Sequence, residues 1–359
     1  MALSIDPILR FAVQNQVSDV HLKVGRPPML RKCGRLLPLK GADVLQPIHL
    51  KECIAQIASD KECTTLKDTG DLEFTYVLDD IGRFRISAFH QRDLVGMVIR
   101  VIPSTISTID DLQLPETLKR LCEHRRGLVL VTGAAGSGKT TTLAAMIHHI
   151  NQTQPVHILT IEDPIEVIHN DEQSIVNQRE VGRDTASFDL AVRAALRQNP
   201  DVLLIGEMRD METMRTGLIA AETGHLVFST LHTINAVESI SRVITSFPAH
   251  QQQEIRKLVG NILVGVVSQR LVPKADGSGV VAALEIMVGT DFVRECIHNP
   301  QRTVELHDYI GKGKDTYGSQ TFDQALVAHY QSGLITKQCA IDHASIPGDM
   351  KMKLSGISN

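Results

Sequence analysis

The chain contains no tryptophan, and aromatic residues make up only 4% of its 359 positions. Proteins that hold single-stranded nucleic acid need aromatic stacking platforms set in a positively charged groove. Positive charge is in short supply as well, since 37 Lys and Arg face 41 Asp and Glu, a formal net charge of −4. That balance gives no overall attraction to duplex DNA or to an anionic membrane surface, and no nucleic-acid partner is expected. No apolar run approaches the roughly 20 residues that span a bilayer. The opening segment Met-Ala-Leu-Ser-Ile-Asp-Pro shows neither a basic stretch nor a signal cleavage site. Direct membrane insertion is therefore not expected, and a membrane role would pass through a partner. The six cysteines, Cys33, Cys53, Cys63, Cys122, Cys296 and Cys339, include no Cys-x-x-Cys pair. Neither a zinc ribbon nor a redox motif is indicated, and they read as reduced thiols of a cytoplasmic protein.

What is present is enough apolar material, 43% of the chain, for two domains with cores of their own. From Met1 to Ile102 a short amphipathic helix (Ile5, Leu9, Val13) is followed by extended segments at Asp19–Val24, Leu72–Leu78, Arg83–Phe89 and Gly96–Ile102. That mixture predicts a small α+β domain over 1–102. The Pro/Ser/Thr-rich stretch opening at Pro103 predicts a hinge over 103–113. Over 114–359 the apolar runs Leu128–Thr132, Ile158–Ile161, Val202–Ile205 and Leu226–Thr230 are separated by helix-length segments. Such alternation predicts an α/β domain with a parallel sheet, with further helices toward the C-terminus and a polar, partly mobile stretch after Gly333.

Gly133-Ala134-Ala135-Gly136-Ser137-Gly138-Lys139-Thr140 fits G-x-x-x-x-G-K-[ST] without gaps, directly after one of these runs and before a helical pattern that opens at Thr141. Motif and context together identify a P-loop of an ATP-binding protein. The glycines let backbone N–H groups curl around phosphates, and the helix N-terminus adds the positive end of a dipole. Lys139 neutralises phosphate oxygens, Thr140 can ligate Mg²⁺, and Thr141 joins the nucleotide-binding set.

In open α/β sheets ligands sit beyond the carboxyl ends of the strands, so the polar residues there are the candidates. After the run ending at Ile161 come Glu162, Asp163, Pro164 and Glu166. One of these carboxylates could accept the proton of an attacking water while the others hold water or metal, with Glu166 favoured as the base. The same acids would also suit the solvated start of the next segment. The run ending at Ile205 leads into Gly206-Glu207, a Walker B pattern with glycine where aspartate is usual, which leaves Glu207 to orient the metal and its waters. His225 and His232 bracket the fourth run, where a histidine can sense or hold a γ-phosphate, though a lone histidine is more often structural.

At these sites the sequence resembles the secretion and traffic ATPases, and among them the retraction motors of type IV pili. Thr160-Ile-Glu-Asp-Pro-Ile-Glu166 looks like the family's Asp box, Gly206-Glu-Met-Arg-Asp210 its Walker B, and Thr223-Gly-His-Leu…Thr-Leu-His232 its His box. The likeness extends to Ser18–Leu22, Gly25–Met29 and Arg83–Phe89, which resemble the family's PAS-like domain. The resemblance implies a RecA-like P-loop core behind a PAS-like domain, and a homohexamer in which ATP hydrolysis changes the angle between domains to drive pilus retraction. It implies Glu166 as general base, Glu207 as the Walker B residue, and Arg83, Arg85 and Arg100 as candidates for reaching the phosphates. For the arginines the strand pattern says only that Arg83 and Arg85 share a face, which a solvated surface also explains. The implied partners are an inner-membrane pilus platform protein, placing the protein peripherally at that membrane, and a paralogous pilus ATPase. Assembly-type relatives carry a longer N-terminal region and a four-cysteine zinc site; this chain has neither. Two departures stand out: Ala134-Ala135 replaces the usual Pro-Thr, and Asp291-Phe-Val-Arg-Glu-Cys-Ile-His298 replaces the retraction motors' Ala-Ile-Arg-Asn-Leu-Ile-Arg-Glu-like helix. A catalytically silent adaptor is the alternative, but Lys139, Glu166 and Glu207 are all retained.

Overall fold

The computed structural model describes residues 4–32, 35–79, 81–102 and 105–355. Cys33 and the head of the expected hinge, Pro103 and Ser104, lie outside them. The chain divides into two compact units, Met1–Thr105 and Ile106–Asn359.

The first unit is built on an antiparallel sheet of β1 (Asp19–Lys23), β2 (Met29–Lys32), β3 (Arg35–Pro38), β4 (Asp71–Leu78), β5 (Gly82–Gln91) and β6 (Leu94–Ile102), in the order β3-β2-β1-β6-β5-β4. Alternation along β5 buries Phe84, Ile86 and Ala88 and turns Arg83 and Arg85 to the other face. Three helices, Asp6–Gln14, Pro47–Ile57 and Asp60–Thr69, close the apolar face with Leu9, Leu50, Ile54 and Leu66. The last of them starts where Ser59 and Glu62 cap each other's backbone N–H groups and stops at Gly70, whose φ of 82° suits glycine.

The second unit holds β7 (Gly127–Thr132), β8 (His157–Glu162), β9 (Ile175–Glu180), β10 (Val202–Ile205), β11 (Leu226–Leu231), β12 (Leu263–Pro273) and β13 (Val280–Val288). The sheet order is β13-β12-β7-β11-β10-β8-β9, parallel throughout except for the antiparallel edge strand β13. Helices cover both faces, which is why β7, β10 and β11 are buried along their whole length and read as unbroken apolar runs. Leu128 and Leu130 pack into one core with Leu218, Val243 and Phe247; Val129 and Val131 pack into the opposite one with Leu118, Met146 and Ile147.

Two expectations change here. The stretch 106–113 is part of the second unit: Ile109 and Leu114 are buried beside Leu118, and Thr108 and Asp111 bond reciprocally through their side chains and backbone N–H groups. The stretch after Gly333 is packed, because Ile335, Ala340 and Met350 join Phe322 and Leu326 against Val272, Val281 and Ala283. Thr336 caps the helix Lys337–Asp342, and Pro347 opens the helix Pro347–Leu354.

Candidate nucleotide-hydrolysis site

The phosphate loop leaves the carboxyl end of β7 and enters the helix Lys139–Thr153 through Gly138, which adopts φ 86° as the N-cap. Gly133, at φ 148°, leaves no room for a side chain: an added Cβ would lie 2.5 Å from the Gln269 carbonyl oxygen and 2.5 Å from Ser137 Oγ. Lys139 is buried, its Nζ donating to the carbonyls of Gly133 (2.9 Å) and Ala134 (3.0 Å). Burial lowers its pKa, and the negative charge of Glu207 works against that shift. Ala134, Ala135, Gly136, Thr140 and Thr141 are exposed on the rim. Ser137 Oγ is buried with no hydrogen-bond partner among the described residues, a donor without an acceptor at the place where phosphate oxygens would supply one. Beside the loop lies a cavity of about 380 Å³ lined by Gly133 to Ser137 together with Ile234, Gln269, Arg270, Leu271 and His343. No motif marks these last five, which come from the loop after β11 (Ile234), from β12 (Gln269, Arg270, Leu271) and from the end of the helix Lys337–Asp342 (His343). Gln269 also accepts from Thr142 Oγ1 at 2.7 Å, so β12 braces the loop from behind.

The ends of β10 and β11 bring Glu207 and His232 together. His232 Nε2 is 3.2 Å from Glu207 Oε1, and Arg209 Nε donates to Glu207 Oε2 at 2.7 Å. Gly206 lies against the end of β8, where a Cβ would sit 3.2 Å from the Ile161 carbonyl oxygen, so the missing aspartate corresponds to a tight strand contact.

At the end of β8 the acids divide by environment. Glu162 belongs to the strand and is buried, accepting from Thr160 Oγ1 at 2.6 Å and from Gln178 Nε2 at 3.1 Å. Burial raises its pKa, with these donors opposing. This corrects its expected role: a carboxylate so enclosed and bonded anchors the loop and is not open to a nucleotide or metal. Asp163 and Glu166 are exposed.

His225 is a second correction. It precedes β11, and its carbonyl accepts from the Gly127 N–H at the opposite end of the sheet from the phosphate loop. Seven residue steps at about 3.3 Å separate it from His232, roughly 23 Å. Its ring Nδ1 lies 2.9 Å from the Ala220 carbonyl, a structural contact.

The arginines lie in the first unit. Arg85 and Arg100 face each other across β5 and β6, and Arg100 in turn faces Asp19. Arg100 Nε binds Asp19 Oδ1 at 3.2 Å, Arg31 reaches the other oxygen of Asp19 at 3.6 Å, and Arg85 pairs with Glu73. Arg83 has no ion pair among the described residues.

The profile of the family described as Type II/IV secretion system protein matches residues 71–310. The chain is 43% identical to the type IV pilus retraction ATPase PilT of Pseudomonas aeruginosa, over 96% of this chain and 99% of that one. It is 40% identical to the type IV pilus ATPase PilU of the same organism, over 98% and 91% respectively. A crystal structure of the pilus retraction motor PilT with bound ADP superposes with a TM-score of 0.90 at 41% identity, covering 97% of this chain and 99% of that chain. The ATPase DotB of Legionella pneumophila gives 0.79 at 28% identity, covering 98% and 95%. A profile match over two thirds of its length makes this chain a member of the type II/IV secretion system protein family.

Proposed function

We propose that the protein is an ATPase motor that powers retraction of type IV pili. The observation that carries this reading is the convergence of Lys139, Glu207 and His232 at the carboxyl ends of neighbouring strands, in a chain that is 43% identical to PilT over nearly its full length.

ATP binds with its phosphates in the loop Gly133–Thr140, where the backbone N–H groups, the helix N-terminus and Lys139 oppose their charge. Among the described residues no group of three or more His, Cys, Asp or Glu could hold a metal. Mg²⁺ keeps several waters and takes one or two protein ligands besides phosphate oxygens. Thr140 and Glu207 would hold it, and when bound it offsets charge on the β- and γ-phosphates. Glu166, exposed on its loop, accepts the proton of the attacking water. His232, tied to Glu207, registers the presence of the γ-phosphate. One of Arg83, Arg85 and Arg100 reaches the nucleotide phosphates. The working form is a homohexamer, peripheral at the inner membrane through the pilus platform protein, in which turnover moves one unit against the other.

A second reading, an accessory motor beside a primary one, is supported by the 40% identity to PilU and by the divergent helix Asp291–His298. Expression in a Pseudomonas strain lacking PilT separates the two. Restored twitching supports a primary retraction motor, restoration only in a strain lacking PilU supports the accessory, and restoration in neither strain refutes the retraction reading.

A further inference from the structure

Four residues of the loop that carries Glu166 are held by side chains of β8 and β9. The Gln178 amide donates to Glu162 Oε1 at 3.1 Å and to the Val167 carbonyl at 2.8 Å, while its oxygen accepts from the His169 N–H at 2.8 Å. A main-chain carbonyl can only accept and a main-chain N–H can only donate, so these partners fix which way the amide points. Both its N–H groups are used. Glu162 in turn accepts from the backbone N–H of Glu166. Glu180, two residues along β9 and on the same face, accepts from the Ile165 N–H through Oε2 at 3.2 Å. Backbone groups of Ile165, Glu166, Val167 and His169 are thus tied down from the sheet, leaving the Glu166 side chain exposed.

We propose that Gln178 is a positioning residue for Glu166: by joining Glu162 to Val167 and His169 it closes the loop around the base and sets where its carboxylate stands. The proposal rests on the reading of Glu166 as the base. An apolar side chain at position 178 would leave the Val167 carbonyl, the His169 N–H and one bond to Glu162 without a partner inside the fold, so the loop would relax toward water. A displacement of about 1 Å at a reacting group can cost about a hundredfold in rate without touching ground-state binding.

The test compares the full-length wild type with Gln178→Leu, Glu166→Ala and the double variant, measuring steady-state ATP hydrolysis, ADP affinity and oligomer size on the same samples. Gln178→Leu is expected to lower kcat by about a hundredfold with ADP affinity unchanged to within about twofold. In the Glu166→Ala background the same substitution should change the residual rate by less than about twofold, because its effect runs through Glu166. Wild-type kcat in Gln178→Leu, or an undiminished loss on top of Glu166→Ala, would overturn the proposal. If Glu166→Ala itself turns over normally, it is the reading of Glu166 as base that falls. Gln178→Asn keeps the amide but is one methylene too short to bridge, and the same loss is expected; it serves if the leucine variant does not assemble.

Discussion

Replacing Gly133 by alanine tests the phosphate loop through its own geometry. The new Cβ would stand 2.5 Å from the main-chain oxygen of Gln269 and 2.5 Å from Ser137 Oγ, at a φ of 148° that side chains rarely adopt. Ser137 can rotate, but the Gln269 oxygen is fixed in β12, which pairs with β7 alongside the loop. Backbone strain of about 1–3 kcal/mol and overlap with fixed backbone of about 1–3 kcal/mol both fall on the nucleotide-binding conformation. A total of roughly 2–6 kcal/mol corresponds to a loss of about thirtyfold to about twenty-thousandfold in nucleotide affinity. Gly136→Ala is the internal control: its φ is 76°, but nothing lies within 4 Å of the added Cβ. Only the left-handed strain of about 1 kcal/mol applies there, near a fivefold effect. Calorimetric titration with ADP, alongside thermal melting, measures both. Near-wild-type affinity in Gly133→Ala, or equal losses in the two variants, would refute the reasoning.

Two further perturbations follow from the packing. Burial, with the nearby His148 second, pushes the His169 pKa from 6.5 down to about 4. The folded value lies below the unfolded one, so protons favour the unfolded chain: stability is unaffected above about pH 6.5 and falls as pH drops toward 4, by about 3 kcal/mol in all. Urea midpoints between pH 7.5 and 4.5 should lose that part of their slope in His169→Phe, and an unchanged slope would contradict it. Met350→Ala opens a cavity in the C-terminal cluster and should cost about 2–5 kcal/mol by denaturant titration, whereas a loose tail would register no change.

The parts of the site that lie on buried parallel strands were legible because such strands must be continuously apolar. The runs ending at Thr132, Ile161, Ile205 and Thr230 each fall within a strand of the parallel sheet. Edge strands carry a weaker signal, and in β9 (Ile-Val-Asn-Gln-Arg-Glu) four of the six residues are polar, two of them, Gln178 and Glu180, serving the neighbouring loop. β12 was hidden by continuity: the helix Gln252–Ile262 passes into it at Leu263 with no turn residue between, so the apolar pattern of one runs into the other. Glu162 and His225 were misplaced for a related reason. Proximity in sequence to a strand does not say whether a side chain is enclosed by the next strand, nor which end of the sheet it occupies.

The central claim is that the chain hydrolyses ATP with Glu166 as base, and the most direct measurement is ATP turnover by the purified protein with magnesium beside Glu166→Ala, with ADP affinity recorded on both. The account predicts turnover by the wild type and a loss of about a hundredfold to ten-thousandfold in the variant at unchanged affinity. A wild type that binds nucleotide without hydrolysing it, or a Glu166→Ala variant that turns over within a few fold of it, would contradict the account.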